Sequence, residues 1–123
     1  LDTNAAIALV EGDVAIAQLL RNSPAVFVPI IVLGEMYFGA EKSGRVEENL
    51  KRVDEFVKGR SVVLCDVETT RIYGRVAQQL KVKGRPIPKN DMWIAAIALQ
   101  HGLTVVTRDA HFQEVDGLTV QRW

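Results

Sequence analysis

Of the 15 acidic residues in this 123-residue chain, four sit where a solvated carboxylate has no evident reason to be. Asp2 follows Leu1, which reads as the tail of a strand, and Asp109 follows the apolar run 103–107 with only Arg108 between. Glu35 lies in residues 29–38 (PIIVLGEMYF), a helical stretch so apolar that no water-facing side is evident. On a helix it shares its face with Ile31 and Phe38, and an ionised carboxylate there is costly unless positive charge compensates it. Asp91 falls in the first turn of a helix opened by Pro88, where free amides and the helix dipole favour negative charge. Other acids, such as Glu47, Glu48, Asp54 and Glu55, stand among Lys and Arg on the polar side of an amphipathic segment and need no function.

In an open parallel sheet, ligands bind beyond the carboxyl ends of the strands. Asp2 and Asp109 occupy such ends, and helices following other strands can bring Glu35 and Asp91 to the same crevice. Four carboxylates cannot share a crevice ionised unless cations join them, and hard oxygen ligands select Mg²⁺ or Mn²⁺. Ions held this way acidify water and clamp the oxygens of a phosphate undergoing in-line displacement, so no histidine nucleophile is required. His101 then reads as a dipole partner at a helix end, and His111 as a surface or packing residue. Each acid has a plainer reading too: Asp2 and Asp109 as helix N-caps, Asp91 as a first-turn acid. Glu35 is the hardest of the four to read that way.

The elements that must carry these residues alternate in type. Short Val- and Leu-rich runs at residues 25–28, 61–65, 103–107 and 118–121 read as strands, and their continuous apolar character suits a parallel sheet covered on both faces. Val46, Leu50, Val53 and Val57 recur at helical spacing and predict an amphipathic helix over about residues 45–58. Ile72, Val76 and Leu80 predict another, ending near Gly84; the helix from Pro88 runs to His101 with Gly102 as its stop. Strands separated by helices imply an α/β domain with right-handed crossovers. Length allows one domain over 1–123, with no repeat or linker. Ala95 and Ala98, beside Asp91 on its helix, are small enough to let another backbone approach.

Charge is balanced overall, 15 bases against 15 acids, but unevenly spread. Residues 71–108 carry seven bases and the single acid Asp91, a net +6, and the remainder carries −6. Leaving out the four unusual acids gives 15 bases against 11, a surface more suited to a phosphodiester substrate than the formula suggests. Arg85, Lys89 and Arg108 lie nearest the acids in sequence and are the candidates for gripping a phosphodiester backbone, which for the resemblance given below is RNA. Trp93 and Phe112 are expected to pack rather than stack a base, and Cys65 to end a strand, buried and inert. A lone cysteine allows no internal disulfide, no Cys/His cluster suggests zinc, and no apolar run reaches membrane-span length; a cytoplasmic protein with no membrane association is expected.

Four segments, in order and spacing, carry a resemblance: Leu1-Asp2-Thr3-Asn4, Gly34-Glu35-Met36, Asn90 to Ala96 (NDMWIAA) and Thr107 to Phe112 (TRDAHF). Together they resemble the PIN-domain family, and within it the VapC-type toxins of bacterial toxin–antitoxin pairs. The resemblance implies a three-layer α/β/α fold around a five-stranded parallel sheet, its first strand cut short at Leu1. It also implies a Mg²⁺- or Mn²⁺-dependent ribonuclease site matching Asp2, Glu35, Asp91 and Asp109, with Thr107 and Asn4 as supporting residues. An RNA substrate, a cognate VapB-type antitoxin and a homodimer follow as expected partners. Two other functions compete. A phosphatase or phosphoacceptor would want Asp-x-Asp after the first strand, where this chain has Asp2-Thr3-Asn4. A non-catalytic RNA- or protein-binding module would tolerate an incomplete acid set, and here the set is complete.

Overall fold

The structure, a computed structural model, describes residues 1–123. Six helices and four short strands alternate along the chain: α1 (Thr3–Val10), α2 (Val14–Arg21), β1 (Phe27–Pro29), α3 (Ile30–Glu41), α4 (Val46–Val57), β2 (Ser61–Val63), α5 (Val67–Lys83), α6 (Lys89–His101), β3 (Val105–Thr107) and β4 (Val120–Arg122), with a 3-10 turn at Ala110–Glu114. The helices α4, α5 and α6 follow the expected spacing closely. Val53 and Phe56 bury the inner face of α4, and Ile72, Val76 and Leu80 that of α5. Asp66 and Thr69 form a reciprocal capping box at the start of α5, and Gly84 and Gly102 end α5 and α6 in the left-handed conformation that glycine adopts without steric cost.

Regular strand pairing is confined to two parallel pairs, β1 with β2 (Val28 opposite Val62) and β3 with β4 (Val106 opposite Gln121). Leu1 and Asp2 lie between them. The Leu1 nitrogen donates to the Phe27 carbonyl at 3.0 Å, and the Asp2 N–H donates to the Val106 carbonyl at 3.2 Å. One hydrogen bond on each side therefore spans the gap where the expected continuous five-stranded sheet would have its central strand.

Other expectations need correction. The run at 61–65 ends as a strand at Val63, and Cys65 is exposed rather than buried, because β2 has a partner on one edge only and the chain turns away from it towards the Asp66 cap. Expected cover on both faces also fails for β2 and β4, whose residues are exposed or half-buried. Helix α3 does have a solvent side, formed by Ile30, Gly34 and the 65 % exposed Phe38 at four-residue spacing. Helices α1 and α2, which the hydrophobic spacing did not reveal, pack on each other, and α1 also packs on α3.

A cluster of 22 buried residues forms the core, with Val28, Val32, Ile94, Ala95, Ala96 and Phe112 at or below 1 % exposure. Phe112 packs as expected, and Trp93 stacks on Tyr73 with ring centroids 4.0 Å apart. The alanines of α6 let both α5 and α3 pack against it, which fixes the position of the first turn of α6 over the strand ends. No single helix is long and apolar enough to cross a membrane.

Candidate metal centre

Asp2 is 3 % exposed and fully engaged. Its Oδ1 accepts from the Ala5 N–H at 2.9 Å, capping α1, and its Oδ2 accepts from the Thr107 hydroxyl. That hydroxyl in turn accepts the Asp109 N–H at 2.9 Å, so one threonine at the end of β3 ties together the first and last of the four acids. Burial pushes the Asp2 carboxyl above the ordinary carboxylate range, against the pull of hydrogen bonds from Thr107 and Ala5, and the charge of Asp109 acts in the same direction as burial. No Lys or Arg forms an ion pair with it.

Glu35 reaches the same place from the second turn of α3, where its Oε1 accepts the Thr3 hydroxyl at 2.5 Å. Asp91, in the first turn of α6, is half-buried, and its carboxyl is also raised. Desolvation is the main cause, followed by the charge of Asp109; the Glu35 charge adds to it and a hydrogen bond from His111 opposes it. Asp109 caps the 3-10 turn, its Oδ1 accepting the His111 N–H at 2.9 Å. The imidazole Nδ1 of His111 lies 3.0 Å from Asp109 Oδ1 and 3.5 Å from Asp91 Oδ2.

These side chains open on a cleft of about 390 Å³ lined by Asp2, Thr3, Asn4, Glu35, Pro88, Lys89, Asn90, Asp91 and Asp109, with no apolar residue except the proline ring. A hollow of similar size, about 400 Å³, lies between β1, β3 and α6, but its wall offers no charged side chain and so no comparable chemistry. The structural and chemical readings of Asp2 and Asp109 are thus not alternatives: each caps a helical turn with one oxygen and lines or supports the cleft with the rest of its carboxylate.

Among the other sequence candidates, Asn4 and Lys89 line the cleft and Thr107 lies beneath it. Arg85 is exposed in the segment between α5 and α6, outside the cleft wall. Arg108 turns away: its guanidinium stacks 3.7 Å from the Trp123 ring and its Nε donates to the Trp123 carbonyl. Two participants were missed. Thr3, which holds Glu35, was recognisable only as a hydroxyl neighbour of Asp2. His111 is at the surface as expected, but it also meets two of the acids, because the turn after Asp109 is 3-10 and curls it back.

The donor set suits a hard divalent cation. Carboxylates from four separate elements meet in a polar cleft, the most buried has no Lys or Arg partner, and ligand atoms of Asp91, Asp109 and His111 all lie within 4.8 Å of one another.

The PIN domain family model matches residues 1–118. Among curated relatives, the tRNA(fMet)-specific endonuclease VapC of Shigella flexneri is 31% identical over 126 residues, covering 100% of this chain and 96% of the relative. Ribonuclease VapC2 of Rickettsia felis is 29% identical over 107 residues, covering 86% of this chain and 80% of the relative. Among solved structures, the DNA-bound VapBC of Salmonella typhimurium superposes with a TM-score of 0.92 at 30% identity, covering 99% of this chain and 95% of that one. By its match along nearly the whole length, this chain belongs to the PIN-domain family.

Proposed function

We propose that this chain is a divalent-metal-dependent endoribonuclease and the toxin of a toxin–antitoxin pair, with Asp2, Glu35, Asp91 and Asp109 as its metal-holding and catalytic acids. The observation that carries the reading is the meeting of these four carboxylates in one polar cleft, in a family whose members include proteins named as ribonucleases.

A bound Mg²⁺ or Mn²⁺ supplies positive charge for the phosphate and acidity for an attacking water. The chain does the rest. Asp2 holds its carboxylate rigidly between the Ala5 N–H and the Thr107 hydroxyl. Thr3 orients Glu35 in the same cleft. Lys89, the one base on the cleft wall, meets the incoming phosphodiester, and Arg85, exposed four residues earlier, is a second candidate for its backbone. Asn4 offers an amide to the cleft mouth. Arg108, candidate for the same grip, acts at most through the Trp123 segment that it stacks on.

The finer architecture is part of the same proposal: a single domain with a five-stranded order β2, β1, Leu1-Asp2, β3, β4, supported by the two hydrogen bonds that Leu1 and Asp2 make to either side. Solved relatives that are VapBC complexes support a VapB-type antitoxin as partner. A homodimer and a cytoplasmic location complete the reading.

The test is direct. Purified protein incubated with RNA, tRNA(fMet) among the first substrates because of the Shigella relative's name, cuts in Mg²⁺ or Mn²⁺ and stops in excess EDTA. Asp2→Asn and Asp91→Asn abolish cutting with unchanged circular dichroism. Undiminished cleavage in EDTA overturns the metal mechanism.

A further inference from the structure

We infer that His111 is itself a metal ligand, supplying one imidazole nitrogen beside Asp91 and Asp109 and tuning the centre towards Mn²⁺ over Mg²⁺. The inference rests on the metal-centre reading above and extends it to a residue outside the four acids.

Its basis is spacing. Ligands at adjacent corners of an octahedral divalent ion, with bonds of about 2.1 Å, stand about 3 Å apart. His111 Nδ1 lies 3.0 Å from Asp109 Oδ1 and 3.5 Å from Asp91 Oδ2. The three residues hold ligand atoms within 4.8 Å of one another, a grouping that only a small further rotation need close around a cation. The local backbone favours it: Asp109 caps the 3-10 turn by accepting the N–H of His111, so carboxylate and imidazole are presented from two positions on one tight turn. With its side chain 47% exposed, the ring can turn without disturbing the core.

Chemistry then sets the preference. Mg²⁺ dehydrates reluctantly and keeps to carboxylate and water oxygens, whereas Mn²⁺, also at home among oxygens, opens the first-row series along which affinity for a site with nitrogen ligands rises. A centre of carboxylates alone has little reason to discriminate; one nitrogen gives it one.

The test uses the full chain and Mn²⁺ itself as probe. Spin-echo modulation of bound Mn²⁺ should show nitrogen coupling in the parent protein and none in His111→Ala. Titration should show Mn²⁺ affinity falling about tenfold or more in that variant, with Mg²⁺ affinity changed by about twofold or less. Urea unfolding of the variant without metal checks that the fold is intact, and His111→Gln, which keeps bulk and polarity, should lose the coupling as well. If Mn²⁺ binds the parent protein without nitrogen coupling, or if both ions weaken equally in His111→Ala, the ligand role is overturned and the four-acid reading stands. If the parent protein binds no Mn²⁺ at all, both readings fall.

Discussion

Replacing Thr107 by valine isolates the hydroxyl that joins Asp2 to Asp109. Valine keeps the branched shape and strand preference of threonine at the end of β3, so packing changes little. What is lost is the O–H donated to a carboxylate that is 3 % exposed, a bond of the charge-assisted kind worth about 1.5–3 kcal/mol. The Asp109 N–H also loses its acceptor, at about 1 kcal/mol. A total near 3 kcal/mol, with a urea slope of about 1.5 kcal/mol/M, lowers the unfolding midpoint by about 2 M. Thr107→Ser keeps the hydroxyl and loses only a methyl group, about 1 kcal/mol, so the valine variant should be clearly the weaker of the two. The Thr107 hydrogen bond also holds the Asp2 carboxyl down against burial. In the valine variant that carboxyl rises further, and the pH at which Mn²⁺ binding reaches half its maximum moves upward. A valine variant as stable as the serine variant, with an unmoved binding profile, would show that the hydroxyl neither supports Asp2 nor tunes it.

Two further outcomes follow from the same forces. Because burial and the neighbouring charges of Asp109 and Glu35 raise the Asp91 carboxyl, the metal-free fold binds its proton more tightly than the unfolded chain does. Stability from this group is therefore present in full below 3.8 and is lost as pH rises through the folded value; at neutral pH Asp91→Asn should melt no lower than the parent in chelator, and scanning calorimetry showing a clear loss would contradict this. Gly102 ends α6 at φ +63° with nothing against the place a Cβ would occupy, so Gly102→Ala should cost about 1 kcal/mol through backbone conformation alone, read by urea unfolding, and leave metal binding unchanged.

The acids were legible because each stands at a place with physical meaning: a strand end, the first turn of a helix, or an apolar helix that should not hold a charge. Their neighbours were less so. His111 stands two residues after Asp109, a separation whose side chains diverge on an α-helix, and only the 3-10 turn brings it back to the carboxylates. Arg108 is adjacent to Asp109 in sequence yet faces the other way, because Trp123, fifteen residues on, offers its ring and carbonyl. Cys65 followed an unbroken apolar run, and nothing local marks the point where an edge strand gives way to a turn. Helix α1 is too rich in alanine for its spacing to stand out, and α2, although amphipathic, has only eight residues in which to show it; the Asp2 and Asp13 caps mark both starts.

Asp2 also sits at a seam. Its main chain bonds to β3 and its neighbour's to β1, while its side chain reaches α1 and the end of β3. Bringing the two halves of the molecule together and placing the Asp2 carboxyl in the cleft are therefore a single event. A chain opened between Asp2 and β3 loses the Val106 and Thr107 bonds that hold that carboxyl where it is.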